Sequence, residues 1–379
     1  MASAHRIRRL ALGRPAGSAD AARVAPGPRG RLGSAAVVAA LCLAVITAVN
    51  AVLVHQVGFS GDEAYYSRIA DHPGGPHNFP YAFRIGLPYL VHALPFSHAF
   101  SWELLALLAA AAAAGALFAL LGEFGIGRRL AVGLAVGFAL SPPLLVVLLR
   151  NGREVDAAAI LVITLGCLFI VRRERLALAI TLLVATTIHE SCLFLIPLAY
   201  AVWADRLIDA DALRDLVAVA ALPVLVYVYL RSSIVAVGES YQPGYTGPFL
   251  TARVDVLRDA LGGGGWKGQL RRMALVYGPL WLAAPFALPQ LRFARRGLVL
   301  FVLCLGSMTF ALDWGRMVFF AAPVVYVAAA YALRERRRLA AAAVIGLLAV
   351  DFGYAAYMQA DGVTHGLDST APPARGPVY

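Results

Sequence analysis

The sequence is poor in charged side chains: 15% of its 379 residues are Asp, Glu, Lys or Arg, and 60% are hydrophobic. A soluble domain of this length needs far more polar surface to cover its core. Lysine is nearly absent, with Lys267 the single example, so the net charge of +11 comes from arginine. The arginines form short clusters between apolar runs, a pattern typical of a protein oriented in a bilayer and not of a nucleic-acid-binding face. We therefore expect a membrane protein with no nucleic-acid partner.

Cysteine is also scarce. Cys42, Cys167, Cys192 and Cys304 all lie inside apolar runs, and none forms a C-x-x-C pair. This favours a packing role and does not indicate a redox compartment. The glycine run 262–265 favours a flexible turn over a phosphate-binding loop, because neither a strand nor a G-K-[ST] sequence accompanies it.

Long apolar runs dominate the rest of the chain. Runs of roughly 17–25 residues recur between residues 34 and 358, each long enough to cross about 30 Å of hydrocarbon as a helix. They predict an all-α, polytopic transmembrane bundle of about eleven spans, formed by a single domain over 34–358. A disordered, basic, cytoplasmic N-terminus (1–33) and an extracytoplasmic tail (359–379) are expected on either side. The spans are predicted at about 34–54, 102–121, 130–149, 157–171, two within 176–203, 214–232, 273–289, 297–312, 317–333 and 339–358.

The distribution of arginine predicts the orientation. Seven arginines precede the first span, and basic segments stay in the cytoplasm, so the loops at about 55–100 and 233–271 are predicted to lie outside. A short interfacial helix is expected within the first loop, at Ile85–Leu94. The stretch 176–203 is open to two interpretations. One long helix would place the later arginine clusters outside, whereas a hairpin turning at Ile188–Ser191 keeps them inside, and we favour the hairpin. The composition and layout favour the cytoplasmic membrane of a bacterium.

Four polar clusters then fall on the outer side of the bundle. They are Gly61–Arg68, Arg150–Asp156, His189–Glu190 and Asp313–Arg316. Charged side chains at membrane depth are expensive, and those that occur usually pair or line a functional cavity. Four clusters on one face predict one outward-facing cavity.

Each cluster also has a purely structural explanation. These are an ion pair between Asp313 and Arg316, acids favoured by a helix dipole at Glu154 and Asp156, structural hydrogen bonds at His189 and Glu190, and a helix cap at Asp62 and Glu63. The conjunction of all four on one face is harder to explain in this way.

The first loop carries a family resemblance. Asp62-Glu-x-x-Tyr65-Tyr66, followed by Phe79-Pro-Tyr-Ala-Phe-Arg84-x-x-x-Pro88, resembles the beginning of many bacterial membrane proteins of the C-type glycosyltransferase superfamily. The resemblance covers these residues and the overall layout of spans. The loop lacks the Asp-x-Asp of the better-defined branches, which leaves the subfamily and any metal requirement open.

The resemblance implies a chemistry. Such enzymes move a sugar from a polyprenyl-phosphate donor to a glycan or lipid acceptor outside the cytoplasm, and an acid in the first loop is essential. It implies Asp62 as catalytic base, with Glu63 second, and an inverting reaction. Arginine suits phosphate through its forked donors. The predicted substrate- and phosphate-binding residues are Arg68, Arg84, Arg153, Arg316, Tyr65, Tyr66, His189, Glu190, Asp156 and Asp313.

Other functions remain open at this point. The acids and His189 are acceptable ligands for Mg²⁺ or Mn²⁺, but no ligand spacing requires a metal, and no cofactor is predicted firmly. A lipid-linked glycan polymerase or ligase would share the outer site and differ in product length or acceptor. A transporter or flippase would also use intramembrane acids and broken helices, and substrate flux without sugar transfer would identify it. A purely structural membrane subunit would explain the spans but would give no function to the acids and arginines of the four polar clusters.

Overall fold

The protein is helical throughout the part of the chain that the structure describes. A computed structural model describes residues 28–52, 62–78, 80–149, 152–236, 258, 265–310 and 314–360. Within these ranges the only extended pairing is an isolated bridge between His77 and Ala236. The all-α prediction is confirmed.

The described residues form sixteen α-helices, several of them joined by short 3-10 turns. The helices are α1 Pro28–Val52, α2 Asp62–Asp71, α3 Gly86–Ala93, α4 His98–Glu123, α5 Arg128–Ala139, α6 Pro142–Leu149, α7 Asp156–Arg172, α8 Arg175–Ile188, α9 Leu195–Trp203, α10 Ala210–Ser233, α11 Gly265–Tyr277, α12 Leu280–Ala283, α13 Arg292–Ser307, α14 Trp314–Phe319, α15 Ala322–Leu333 and α16 Arg337–Ala360. The 3-10 turns are Tyr81–Phe83, Glu190–Phe194, Ala284–Ala287 and Met308–Phe310.

Within the described ranges, three helices are long and apolar enough to cross a membrane by themselves. They are α1 from Gly33, α4 and α10, and α5 with α6 makes a fourth if the pair, bent by 47°, forms one span. This is fewer than the predicted eleven because several predicted spans are divided into shorter helices. The bend between α5 and α6 falls just before Pro142 and Pro143, which have no N–H to continue the helical hydrogen bonds.

The stretch 176–203 breaks at His189, whose backbone is extended. The chain reverses there. Cys192 Sγ donates to the carbonyl of Ala159 near the start of α7 (3.7 Å), and Trp203 Nε1 donates to the carbonyl of Ile170 near its end (3.0 Å). The second half of the stretch therefore runs parallel to α7, whereas α8 packs against α7 in the opposite direction. This reversal corresponds to the predicted hairpin.

The contacts define two ends of the bundle. One end, here called the basic end, carries Arg172 bound to Glu123, Arg175 bound to Asp215 and Arg292 bound to Asp205. The opposite end, here called the site end, carries Asp62, Arg84, Glu190 and Arg316. Neighbouring helices lie close where small residues face each other: a Cβ on Gly115 of α4 would lie 2.9 Å from the Cβ of Ala39 in α1.

The loops and termini agree with the prediction in part. The described part of the first loop contains α2, the 3-10 turn Tyr81–Phe83 and α3, and α3 covers most of the predicted interfacial helix. Residues 28–33, predicted to be disordered, instead begin α1, where Pro28 suits a first helical position. The residues before 28, those after 360 and most of the predicted loop 233–271 lie outside the described residues.

Candidate functional site

Asp62 lies at the centre of a buried polar cluster at the site end. It begins α2 and is 8% exposed. Its Oδ1 accepts a hydrogen bond from the hydroxyl of Tyr81 (2.5 Å), and its Oδ2 accepts from Nη1 and Nη2 of Arg316 (3.1 Å each). The helix N-terminus also favours negative charge at this position. Asp62 is therefore held in one orientation by two donors from distant parts of the chain.

Arg316 lies among three carboxylates. Besides Asp62, its Nη1 lies 3.2 Å from Oδ2 of Asp156 and 3.7 Å from Oε2 of Glu154. Asp156 begins α7, and Glu154 is 2% exposed. Three acids around one guanidinium give this part of the cluster an excess of negative charge. The alternative ion pair of Arg316 with Asp313 cannot be compared, because Asp313 lies outside the described residues.

A second buried ion pair lies beside the first. Arg84 donates two parallel hydrogen bonds to Glu190, from Nε to Oε2 (3.1 Å) and from Nη2 to Oε1 (2.6 Å). Its Nη1 donates a third hydrogen bond to the hydroxyl of Tyr66 (2.7 Å). Burial raises the pKa of the Tyr66 hydroxyl well above its ordinary value, so this hydroxyl remains protonated. Such a forked arginine–carboxylate pair fixes both partners.

Aromatic rings join the two ion pairs into one cluster. The ring of Tyr66 meets the edge of the Tyr81 ring, with centroids 5.3 Å apart. Tyr65 stacks on the other side of Tyr81 at 4.5 Å and 5°. Because Tyr65 is partly exposed, it forms a flat, accessible ring at the edge of the buried acids.

Arg231 is a member that the sequence reasoning missed. It lies near the end of α10, with its guanidinium 4.1 Å from the ring of Phe83 and its Nη2 3.6 Å from Oε2 of Glu190. Its Nε has no hydrogen-bond partner among the described residues. An arginine at the end of an otherwise apolar helix was the signal that could have identified it.

His189 has a structural role in its own turn, and its role in substrate binding stays a prediction. Its Nδ1 accepts a hydrogen bond from the backbone N–H of Ser191 (3.1 Å), which caps the 3-10 turn. An accepting Nδ1 carries no proton, so the ring is neutral with its proton on Nε2. The ring is 4% exposed and packs against Phe320 at 5.2 Å. It is therefore occupied by its own turn and covered.

The remaining predicted residues divide between the cluster and its surroundings. Glu63 is 2% exposed and lies close enough to the half-buried Arg153 to interact with it electrostatically. Burial lowers the pKa of Arg153, and the charges of Glu63 and Asp71 partly oppose this effect. Arg68 was predicted to bind phosphate, but it is exposed on α2. Arg68 therefore lies on the exposed side of α2, and its assignment to phosphate stays a prediction.

The carboxylates do not form a metal site in the part of the chain that the structure describes. No group of three or more His, Cys, Asp or Glu side chains there has an arrangement suited to a metal ion. The cation that lies among Asp62, Glu154 and Asp156 is the guanidinium of Arg316.

No protein-family model matches this chain, and no curated protein sequence is significantly similar to it.

Proposed function

We propose that this chain is a multi-pass membrane glycosyltransferase that moves a sugar from a polyprenyl-phosphate donor to an extracytoplasmic glycan or lipid acceptor. The observation that carries the proposal is the convergence of charged side chains from distant segments at one end of an apolar bundle. Asp62 and Arg316 are 254 residues apart in the chain, and Arg84 and Glu190 are 106 apart. Buried charges are expensive, and their collection in one place is typical of a functional site.

The proposal includes eleven crossings of the cytoplasmic membrane of a bacterium. The contacts between successive segments support repeated crossing, because they lie alternately at the two ends of the bundle. Asn50 of α1 contacts Glu103 of α4 at the site end, and the other end of α4 contacts the end of α7 at the basic end. Later segments continue this alternation. The divided segments, such as α14 with α15, then cross as broken helices. The arginines at the basic end favour a cytoplasmic location for that end, which puts the site end outside.

Asp62 is the proposed general base. Each carboxylate oxygen can accept two hydrogen bonds, so the bonds from Tyr81 and Arg316 leave capacity for an acceptor hydroxyl. As the carboxylate takes the hydroxyl proton, the acceptor oxygen attacks the anomeric carbon. The bond from that carbon to the phosphate oxygen breaks on the opposite face, and polyprenyl phosphate leaves. The configuration at the anomeric carbon is inverted in this step.

The cations and aromatic rings around Asp62 are the proposed contacts for the phosphate and the sugar of the donor. Arg231 and Arg153 are the proposed phosphate contacts. Arg84 is less available, because its Nε and Nη2 already donate hydrogen bonds to Glu190. Tyr65, stacked on Tyr81 and partly exposed, is the proposed platform for the sugar ring. Arg316 is a positioning residue that orients Asp62. Glu63 is the second acid, at the adjacent position of the same helix.

The test is transfer by purified protein in liposomes supplied with a panel of polyprenyl-phosphate hexoses and pentoses, measured as release of polyprenyl phosphate. Asp62→Asn keeps the shape of the side chain and removes the base, and we expect the rate to fall by about 10²–10⁴-fold. Asp209→Asn, at the basic end, is the matched control and should leave the rate unchanged. Full activity of a correctly inserted Asp62→Asn protein would remove Asp62 from the mechanism. Lipid flux without sugar transfer would identify a flippase or transporter instead.

A further inference from the structure

Asp351 is a buried acid far along α16 that takes no part in the proposed site. It is 0% exposed. It faces α5, because a Cβ added to Gly137 would lie 3.7 Å from its Oδ2. The space left by the missing side chain of Gly137 is filled by Leu347, whose Cδ2 would lie 2.5 Å from that Cβ.

Neither oxygen of Asp351 has a hydrogen-bond partner in the described ranges, and the buried hydroxyl of Tyr326 in α15 has none either. The electrostatic neighbour of Asp351 is this tyrosine. Among the described residues, no hydrogen bond or ion pair joins Asp351 to a cation.

The helices packed against α16 explain this isolation. After Arg129, α5 consists of apolar residues, and α6 contains only proline, leucine and valine. The polar side chains of α15 are Tyr326 and Tyr331. On α11, the hydroxyl of Tyr277 donates to the carbonyl of Val318. The cations of α11, which are Lys267, Arg271 and Arg272, lie in its first two turns and do not bind Asp351.

We propose that Asp351 is a proton-binding site: in the folded protein at neutral pH it is a neutral carboxylic acid, and the proton is its ligand. An ionised carboxylate without a cation or hydrogen bonds is strongly disfavoured in an apolar interior, and such a group neutralises itself by taking up a proton. The step is the addition of H⁺ to the carboxylate, which converts a buried anion into a neutral carboxyl group. Loss of the proton would place a charge between α5, α15 and α16, so proton binding is coupled to the packing of α16.

Infrared difference spectroscopy tests this without requiring reagent access. The spectrum of the wild-type protein minus that of Asp351→Asn at neutral pH should contain the C=O stretching band of an un-ionised carboxylic acid, shifted in D₂O. Asp209→Asn is the control, because Asp209 is a partly exposed helix cap. Its difference spectrum should show the loss of carboxylate bands instead.

If Asp351→Asn does not fold, Asp351→Glu provides the second measurement, since it retains an acid and should shift the carboxylic band without abolishing it. Carboxylate bands in the wild-type minus Asp351→Asn spectrum would overturn the proposal. A carboxylic band that is identical in wild type and Asp351→Glu would also overturn it, because the band would then belong to another residue.

Discussion

Replacing Arg316 with methionine removes the cation that lies among three buried carboxylates while keeping an apolar stem of similar length. In the folded protein its Nη1 lies 3.1 Å from Asp62, 3.2 Å from Asp156 and 3.7 Å from Glu154. One such pair has a gross attraction of about 5 kcal/mol at an effective dielectric constant of about 20. The dehydration of the ions offsets much of this, but the variant removes the cation that Asp62, Glu154 and Asp156 share. We therefore expect the free energy of unfolding to fall by about 3–5 kcal/mol.

The assay is reversible unfolding in mixed detergent micelles with increasing dodecyl sulfate, followed by far-ultraviolet circular dichroism. Arg214→Met is the matched control, because Arg214 and its partner Asp211 have side chains that are 78% and 90% exposed. Its cost should stay below about 0.5 kcal/mol. Adding Asp156→Asn to the Arg316→Met protein should recover part of the loss, because one unpaired charge is removed. Equal costs for Arg316→Met and Arg214→Met would refute the reasoning.

Three further outcomes follow from local geometry. Arg84→Lys keeps the positive charge but cannot form the two parallel hydrogen bonds to the carboxylate of Glu190. We therefore expect near-normal expression and a lower rate of sugar transfer in the liposome assay. Gly152→Ala should lower the free energy of unfolding by about 2–4 kcal/mol, because Gly152 has φ of 68° and a Cβ there would lie 2.6 Å from the carbonyl oxygen of Trp102. Gly74→Ala, with no atom within 4 Å of the added Cβ, is its control, and equal costs in micelle unfolding would contradict the steric explanation. Hydrogen bonds from backbone N–H groups lower the pKa of Asp209, so its stabilising effect is present at neutral pH and is lost as the pH falls through the lowered value. Asp209→Asn should therefore reduce the dependence of unfolding on pH in the acid range, and an unchanged dependence would count against the cap.

Several features of the fold could be predicted because they depend on neighbouring residues. The apolar runs predict helices of the right type and approximate place, and the polar interruption at 188–191 predicts the break at His189. The sequence analysis predicted single spans where the structure has two short helices, as in α5 with α6. The positions of Pro and Gly indicate a break in the helix, but they do not decide whether the helix bends or ends there. The number of spans stays a prediction for the same reason.

The site was predictable as a set of candidate groups and not as a set of contacts. Asp62, Arg84, Glu190 and Arg316 were identified by their charge in an apolar setting. The partner of Arg316 was not, because Asp313 is near it in sequence whereas Asp62 is near it in space. His189 was identified in the same way, and the structure adds a hydrogen bond from the backbone of its own turn to its Nδ1.

The sequence by itself determined that this is an all-helical chain, rich in apolar segments, whose few charges require partners. Hydrophobic periodicity and the expense of buried charge act locally, so they can be recognised from the order of residues. Only the tertiary structure decided which charges meet, that Arg231 approaches Glu190, and that Asp351 has no hydrogen-bond partner among the described residues. Those outcomes depend on how separate helices pack, and the packing brings together residues whose distance along the chain carries no information about their distance in space.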